Sequence, residues 1–200
     1  MTTILLLRHG QIRANALGRW HGSTDKALTW RGRRQVRRTA LHLATCQPEI
    51  AAIYTSPLRR CVGTAESIGK RLGIGVEVRE DLREYAIGEW EDLSFRDLAD
   101  RHDFVNRASA DPDFAPPGGE SLIEVARRMV PTFNAIHALH PADTKVLLVG
   151  HGAAMAIALA TLIDQEPAGW TNYHLANCSL TELVLSPAPY VNFFNSTQHL

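Results

Sequence analysis

The chain is 200 residues long, with 21 basic and 21 acidic side chains, a formal net charge of +0 and 45% hydrophobic residues. That length supports a single domain over residues 1–200 with a substantial core. The balanced charge excludes a general polyanion binder, whose affinity would rest on neutralising phosphates, so nucleic acid is not an expected partner. The three cysteines, Cys46, Cys61 and Cys178, form no Cys-x-x-Cys pair and no apolar stretch reaches spanning length, so the sequence reads as a reduced, cytoplasmic protein with no membrane partner.

The first predicted strand, Thr3–Arg8, is an apolar run that ends in Arg8-His9-Gly10. A buried strand leaving into a loop places these residues where open α/β sheets keep their ligands. Arginine grips phosphate oxygens in a fork, and neutral imidazole is a nucleophile near pH 7, so the pair suggests phosphoryl chemistry. A strand-end ion pair beside a partly buried histidine is the plainer reading of these residues taken alone.

A helix follows from Trp30 to about Cys46, capped by Thr29, with Arg31, Arg33, Arg34, Arg37 and Arg38 spread over a solvated face. The strand Ala51–Ser56 feeds Ser56-Pro57-Leu58-Arg59-Arg60 and a helix from about Leu58 to Leu72, with Pro57 at its start and Gly73 at its end. After a strand at Gly75–Arg79, the region Glu84–Gly119 reads as an insertion over the C-terminal strand edge. It holds one short helix, Ser94–His102, and a loop rich in Pro and Gly from Asp111. Insertions of this kind shape substrate pockets.

The pattern from Ser121 to His140 predicts a helix kinked or interrupted by Pro131. A strand at Lys145–Gly150 then runs into His151-Gly152 and a helix, Ala153–Ile163, whose first amides can face an anion. The last predicted strand is Ser179–Leu185. Strands alternating with amphipathic helices predict an α/β fold, a three-layer α/β/α arrangement with a mostly parallel central sheet. The C-terminal ends of parallel strands share one edge, so Arg8, His9, Arg60 and His151 converge although they are scattered in sequence. His137 and His140 fall one helical turn apart without a third ligand, and read as a surface pair rather than a metal site. Trp20, Trp30, Trp90 and Trp170 read as packing residues, Trp90 being near enough to Glu84 to line a pocket.

Arg8-His9-Gly10, Ser56-Pro57-Leu58-Arg59-Arg60 with Thr64-Ala65-Glu66, Leu82-Arg83-Glu84, Pro117-Gly118-Gly119-Glu120-Ser121 and Gly150-His151-Gly152 occur in this order. In that order they resemble the phosphoglycerate-mutase-like branch of the histidine phosphatase superfamily, over about Ile4 to Leu185. The resemblance implies that His9 is the nucleophile, that Arg8, Arg60 and His151 surround the phosphoryl group, and that Glu84 is the proton donor. It adds Asn15 as a phosphate contact. It selects Arg60 over Arg59, because the family's arginine immediately precedes the small residue at Cys61, which receives no catalytic role. Gln11 and His21-Gly22-Ser23 depart from the family's usual Glu and Gln-Gly-Trp, so the loop Arg19–Asp25, with Gly22 as a substrate contact, is expected to carry specificity.

These roles suit the chemistry. Charge on the equatorial oxygens of a phosphoryl group in flight is stabilised by fixed cations, here Arg8, Arg60 and a protonated His151, without a metal or other cofactor. A carboxylic acid can supply the leaving oxygen's proton. The expected activity is hydrolysis of a small phosphomonoester through a phosphohistidine. The alternatives are a phosphoglycerate-type mutase and a non-catalytic phosphate-ligand-binding module. The chain lacks the Glu-Arg-His-Tyr-Gly segment that mutases carry after the catalytic Glu, and a binder has no need of a proton donor. The sequence leaves the substrate open, and a homodimer as well.

Overall fold

The computed structural model describes residues 2–47 and 49–200. In chain order the elements are β1 (Thr3–Arg8), α1 (Arg13–Leu17), α2 (Trp30–Cys46), β2 (Ile50–Thr55), α3 (Arg59–Leu72) and β3 (Val76–Val78). They continue as α4 (Phe95–Asp100), α5 (Phe104–Ala110), α6 (Leu122–Ala138), β4 (Lys145–Gly150), α7 (Gly152–Leu159), β5 (Leu180–Val184) and β6 (Tyr190–Ser196). The strands form one sheet in the order β3-β2-β4-β1-β5-β6. The first four are mutually parallel, β5 is antiparallel to β1, and β6 is antiparallel to β5.

Alternate residues of the central strands face opposite layers, as the two-residue period of a strand requires. Ile4, Leu6, Val146 and Leu148 share a buried cluster with Val125, Met129 and Phe133 of α6 and with α7, which is apolar on every side. Leu5, Leu7, Leu147 and Val149 share another with Val36, Ala40 and Leu43 of α2 and with Ala65 and Ile68 of α3. The sheet is therefore covered on both faces, and its central strands read as continuous apolar runs.

Helix α1 is not signalled by the sequence, α7 ends at Leu159 rather than Ile163, and three further features differ from expectation. The edge strand β6 has an exposed, alternating pattern without an apolar run, so the sequence carries no strong strand signal there. Helix α5 carries no sequence signal at its start, where the N-cap Asp103 has a positive φ of 47° rather than a conventional capping geometry. Helix α6 runs uninterrupted through Pro131. Proline removes one backbone hydrogen bond, but Val125, Met129, Phe133 and Ile136 are buried along the same face, and that burial outweighs the loss.

The loop after β1 is fixed from the helix side. Thr29 Oγ1 accepts from Gly32 N at 3.0 Å, capping α2, and donates to Gln11 O at 3.1 Å. This brings the first turn of α2 against Gly10 and Gln11, directly after His9.

Candidate active site

His9 leaves β1 almost fully buried, at 2% exposure. Its backbone N–H donates to Gly150 O at 3.0 Å, and its carbonyl accepts from Asn177 Nδ2 at 3.0 Å. Nδ1 lies 2.8 Å from Gly10 O. A carbonyl only accepts, so Nδ1 carries the proton and Nε2 keeps its lone pair. Burial, then Arg60 and Arg8, hold this imidazole well below its ordinary pKa. His9 is thus a neutral base with the free nitrogen on the side away from its own backbone.

His151, at the exit of β4, stacks edge-on against His9 with ring centroids 5.3 Å apart. Arg60 Nε donates to its Nδ1 at 3.2 Å, so Nε2 carries the proton and donates to Ser56 Oγ at 2.7 Å. The expected protonated His151 is replaced by a neutral one. Burial and the facing Arg60 push its pKa well below 6.5. A dianionic phosphoryl group would oppose that shift. The buried Cys61 Sγ lies 3.4 Å from His151 Nε2, and burial pushes its thiol well up, which suits a space-filling role.

Arg60 is fully buried and donates from its head group to the carbonyls of Thr24 (2.8 Å), His21 (3.1 Å) and Gly22 (2.8 Å). Arg59 is exposed, and its backbone N–H donates to Asp25. The same loop is held from its other side by a residue the sequence reading missed. Glu91 accepts from the N–H groups of Gly22, Ser23, Thr24 and Ile87 and from the Thr24 hydroxyl, at 2.9–3.3 Å. Gly22 has no room for a side chain, since a Cβ would stand 2.2 Å from Tyr85 O. Its N–H and carbonyl are both engaged, so Gly22 builds the loop rather than lining the cavity.

Glu84 is buried at the start of α7. Its carboxylate accepts from Ala154 N (2.7 Å), Ala153 N (3.3 Å) and Tyr85 N (2.9 Å). Oriented amides at a helix N-terminus suit an anion, and here they engage both oxygens of the carboxylate. Arg8 reaches the same place. Its guanidinium lies over Gly152, where a Cβ would meet Arg8 Cζ at 3.2 Å, and it donates to Leu175 O.

Arg128 of α6 fixes the segment that carries Glu84. It donates to both oxygens of Glu120 (2.7 and 2.9 Å) and to the carbonyls of Asp81, Arg83 and Glu84 (2.8, 2.7 and 3.1 Å). Glu120 in turn accepts from Ala86 N at 3.0 Å. Five guanidinium donors meet five acceptors here, a set available to arginine and not to lysine. The sequence showed Arg128 only as one more charge on an amphipathic helix, and only the fold discloses its partners.

Arg8, His9, Asn15 and Glu84 line a cavity of about 290 Å³ with Arg19, Trp20, His21, Phe95, Val105, Ala156, Trp170, Tyr173 and His174 among its other walls. Asn15 Oδ1 accepts from Ile12 N at 3.0 Å and from Asn177 Nδ2 at 3.2 Å, so Asn177 joins the His9 loop to the cavity wall. Of the expected site residues, Arg60 and His151 lie in the buried layer around His9 instead of in the cavity wall. Among the described residues no group of three or more His, Cys, Asp or Glu side chains could hold a metal ion. His140, expected in a surface pair, bonds Tyr54 Oη at 2.9 Å. Nor is any described helix long and apolar enough to cross a membrane.

The fold and cavity define an α/β protein with a buried, neutral histidine among arginines at the C-terminal edge of parallel strands. The profile of the histidine phosphatase superfamily (branch 1) matches residues 4–191, and the chain belongs to that superfamily. It is 34% identical to a glucosyl-3-phosphoglycerate phosphatase of Mycobacterium tuberculosis over 95% of this chain and 88% of that protein. It is also 34% identical to a bifunctional protein of the same species over 100% of this chain, and here spans about half, 55%, of the relative's length. The crystal structure of phosphoserine phosphatase from Entamoeba histolytica in complex with 3-phosphoglyceric acid superposes with a TM-score of 0.89 at 28% identity, covering 100% of each chain.

Proposed function

We propose that the chain is a phosphomonoester hydrolase that passes the phosphoryl group first to His9 Nε2 and then to water. The observation that carries this reading is the 2.8 Å bond from His9 Nδ1–H to Gly10 O, which leaves Nε2 unprotonated in a buried cationic pocket. In the first step an Nε2–P bond forms as the ester P–O bond breaks, with Arg8 and Asn15 at the phosphoryl oxygens and Glu84 protonating the departing alkoxide. In the second, Glu84 takes a proton from water as its oxygen attacks phosphorus, and His9 leaves as the neutral base. Arg60 and His151 hold the field and the ring geometry around His9. Residues 84–119 contribute Glu84, Phe95 and Val105 to the cavity and so shape what binds beside the phosphate.

Rapid quench with ³²P-labelled ester tests the reading. An acid-labile, base-stable phosphoenzyme that is absent in His9→Ala is the expected result. A base-labile phosphoester on Ser or Thr, or no phosphoenzyme during single-turnover phosphate release, overturns it. Turnover is expected to survive exhaustive chelation, because arginines supply the charge a divalent ion would otherwise provide.

A further inference from the structure

Asn177 stands outside the cavity wall, in the turn that leads into β5, yet its side chain reaches two parts of the site at once. A side-chain amide nitrogen carries two protons. In Asn177 one goes to His9 O at 3.0 Å and the other to Asn15 Oδ1 at 3.2 Å. The reverse orientation of this amide would set its carbonyl oxygen against two other oxygens, so the partners fix the assignment.

Asn15 is the other half of the observation. Its Oδ1 also accepts from Ile12 N at 3.0 Å, so both lone pairs of that oxygen are taken. Asn15 lines the cavity, and its Nδ2 is left with no partner among the described residues. Nor is this nitrogen sealed from solvent as the unpartnered Arg8 Nε is. An amide held by its oxygen has only N–H donors to offer a ligand, and those are what an oxyanion requires.

His9 O belongs to the peptide whose N–H, that of Gly10, donates to Thr64 Oγ1 at 3.2 Å. That peptide is therefore gripped at both ends, and Gly10 O beyond it is the acceptor that keeps the proton of His9 on Nδ1. The turn carrying Asn177 is tied to the strand exit as well. Cys178 N donates to Arg8 O at 3.0 Å, Arg8 N donates to Ser179 O at 3.4 Å, and Arg8 Nη1 donates to Leu175 O. From the far side, Asn195 of β6 accepts from Ala176 N at 2.8 Å. Cys178 takes a positive φ of 58°, which a residue with a side chain adopts at a cost and keeps only where its surroundings impose it.

Resting on the hydrolase reading, we propose that Asn177 is a positioning residue that sets the phosphate-binding amide of Asn15 relative to the nucleophile. By holding Asn15 Oδ1 it leaves Nδ2 to the phosphoryl oxygens, and by holding His9 O it fixes the peptide next to the attacking ring. The strands β5 and β6, which contribute no residue to the cavity wall, thereby support the chemistry through this one side chain.

A double-mutant cycle in binding tests this, with inorganic vanadate as the ligand and calorimetry as the readout. Asn177→Leu keeps nearly the same volume and deletes the donor, and Asn177→Ala takes its place if the leucine variant does not fold. Either is expected to weaken vanadate about tenfold, as is Asn15→Ala, and combining the two should still cost only about tenfold. Phosphoenzyme formation at saturating p-nitrophenyl phosphate reads the His9 arm: adding the Asn177 substitution to Asn15→Ala should slow it about tenfold while vanadate affinity stays the same. Losses that multiply to about a hundredfold overturn the proposal, since a residue that merely packs the turn adds its own loss to that of Asn15. So does an unchanged affinity in the Asn177 variants, or an unchanged rate in the Asn15→Ala background. The hydrolase reading is judged apart, and fails where the wild type forms no phosphoenzyme, whatever the binding cycle shows.

Discussion

The two ends of the cavity are built on different principles. At the inner end Arg60, His151 and Glu84 are buried and held by hydrogen bonds to backbone groups or to one another. At the outer end the walls are mainly aromatic and aliphatic side chains from α4, α5, α7 and the 3₁₀ turn Pro167–Asn172, with Arg19, His21 and His174 among them. A phosphoryl group is the same in every substrate and rewards a rigid, charged frame, whereas the leaving group varies and calls for a surface that excludes water and offers few, specific polar contacts.

Removing the proposed nucleophile should be the largest single effect. His9→Ala is expected to lower turnover by about 10⁴ or more while circular dichroism and melting temperature stay close to wild type. Retention of more than about a tenth of turnover would remove His9 from that role.

Glu84→Gln separates the two ends next. It keeps the shape and loses the proton, so phosphoenzyme formation from an alkyl ester should slow by about 10²–10⁴ and that from p-nitrophenyl phosphate by much less. Equal losses would show a carboxylate that only caps α7. Arg128→Lys should reproduce a weaker form of this selectivity, about tenfold on alkyl esters, because a lysine cannot hold Glu120 and three carbonyls together. Addition of guanidinium to Arg128→Ala should restore part of the rate.

Arg60→Lys is expected to cost about 10² in turnover, since an ammonium cannot hold His151 and three carbonyls at once. Arg59→Lys should be nearly neutral, because only the backbone of Arg59 is bonded to Asp25. A reversed order would exchange their roles.

The smallest effect is in stability against pH. His9 and His151 stay neutral in the fold, whereas histidines in the unfolded chain take up protons as pH falls through 6.5. Stability is therefore complete above that value and declines below it, by up to about 1.4 kcal/mol per pH unit for each histidine. Urea melts at about pH 7 and about pH 5.5 should show this slope in the wild type and a shallower one in His9→Gln.

The same contrast explains what the sequence disclosed. The strand Thr3–Arg8 and the helix Trp30–Cys46 were legible residue for residue, because an apolar run and a Thr cap are local signals. His9 and His151 were legible as residues at strand exits. Glu84 was not, since it sits in irregular chain, and only the resemblance singled it out. The outer walls were illegible. Trp170 and Tyr173 come from a 3₁₀ turn and the residue after it, with no periodicity, and Glu91 and Arg128 look like ordinary surface charges until the fold brings their partners to them.

The loop at residues 21–24 is gripped on its carbonyl side by Arg60 and on its amide side by Glu91. One grip belongs to the sheet edge and the other to the segment between Glu84 and Gly119. Loop, Glu91 and arginine thus form one mechanical part. An engineer grafting the insertion of a relative onto this scaffold would have to transplant residues 21–24 with it, because a foreign carboxylate out of register would release the loop and loosen the arginine beside His151. The natural unit of exchange for altering specificity here is a pair of segments 69 residues apart in sequence, read from Gly22 to Glu91.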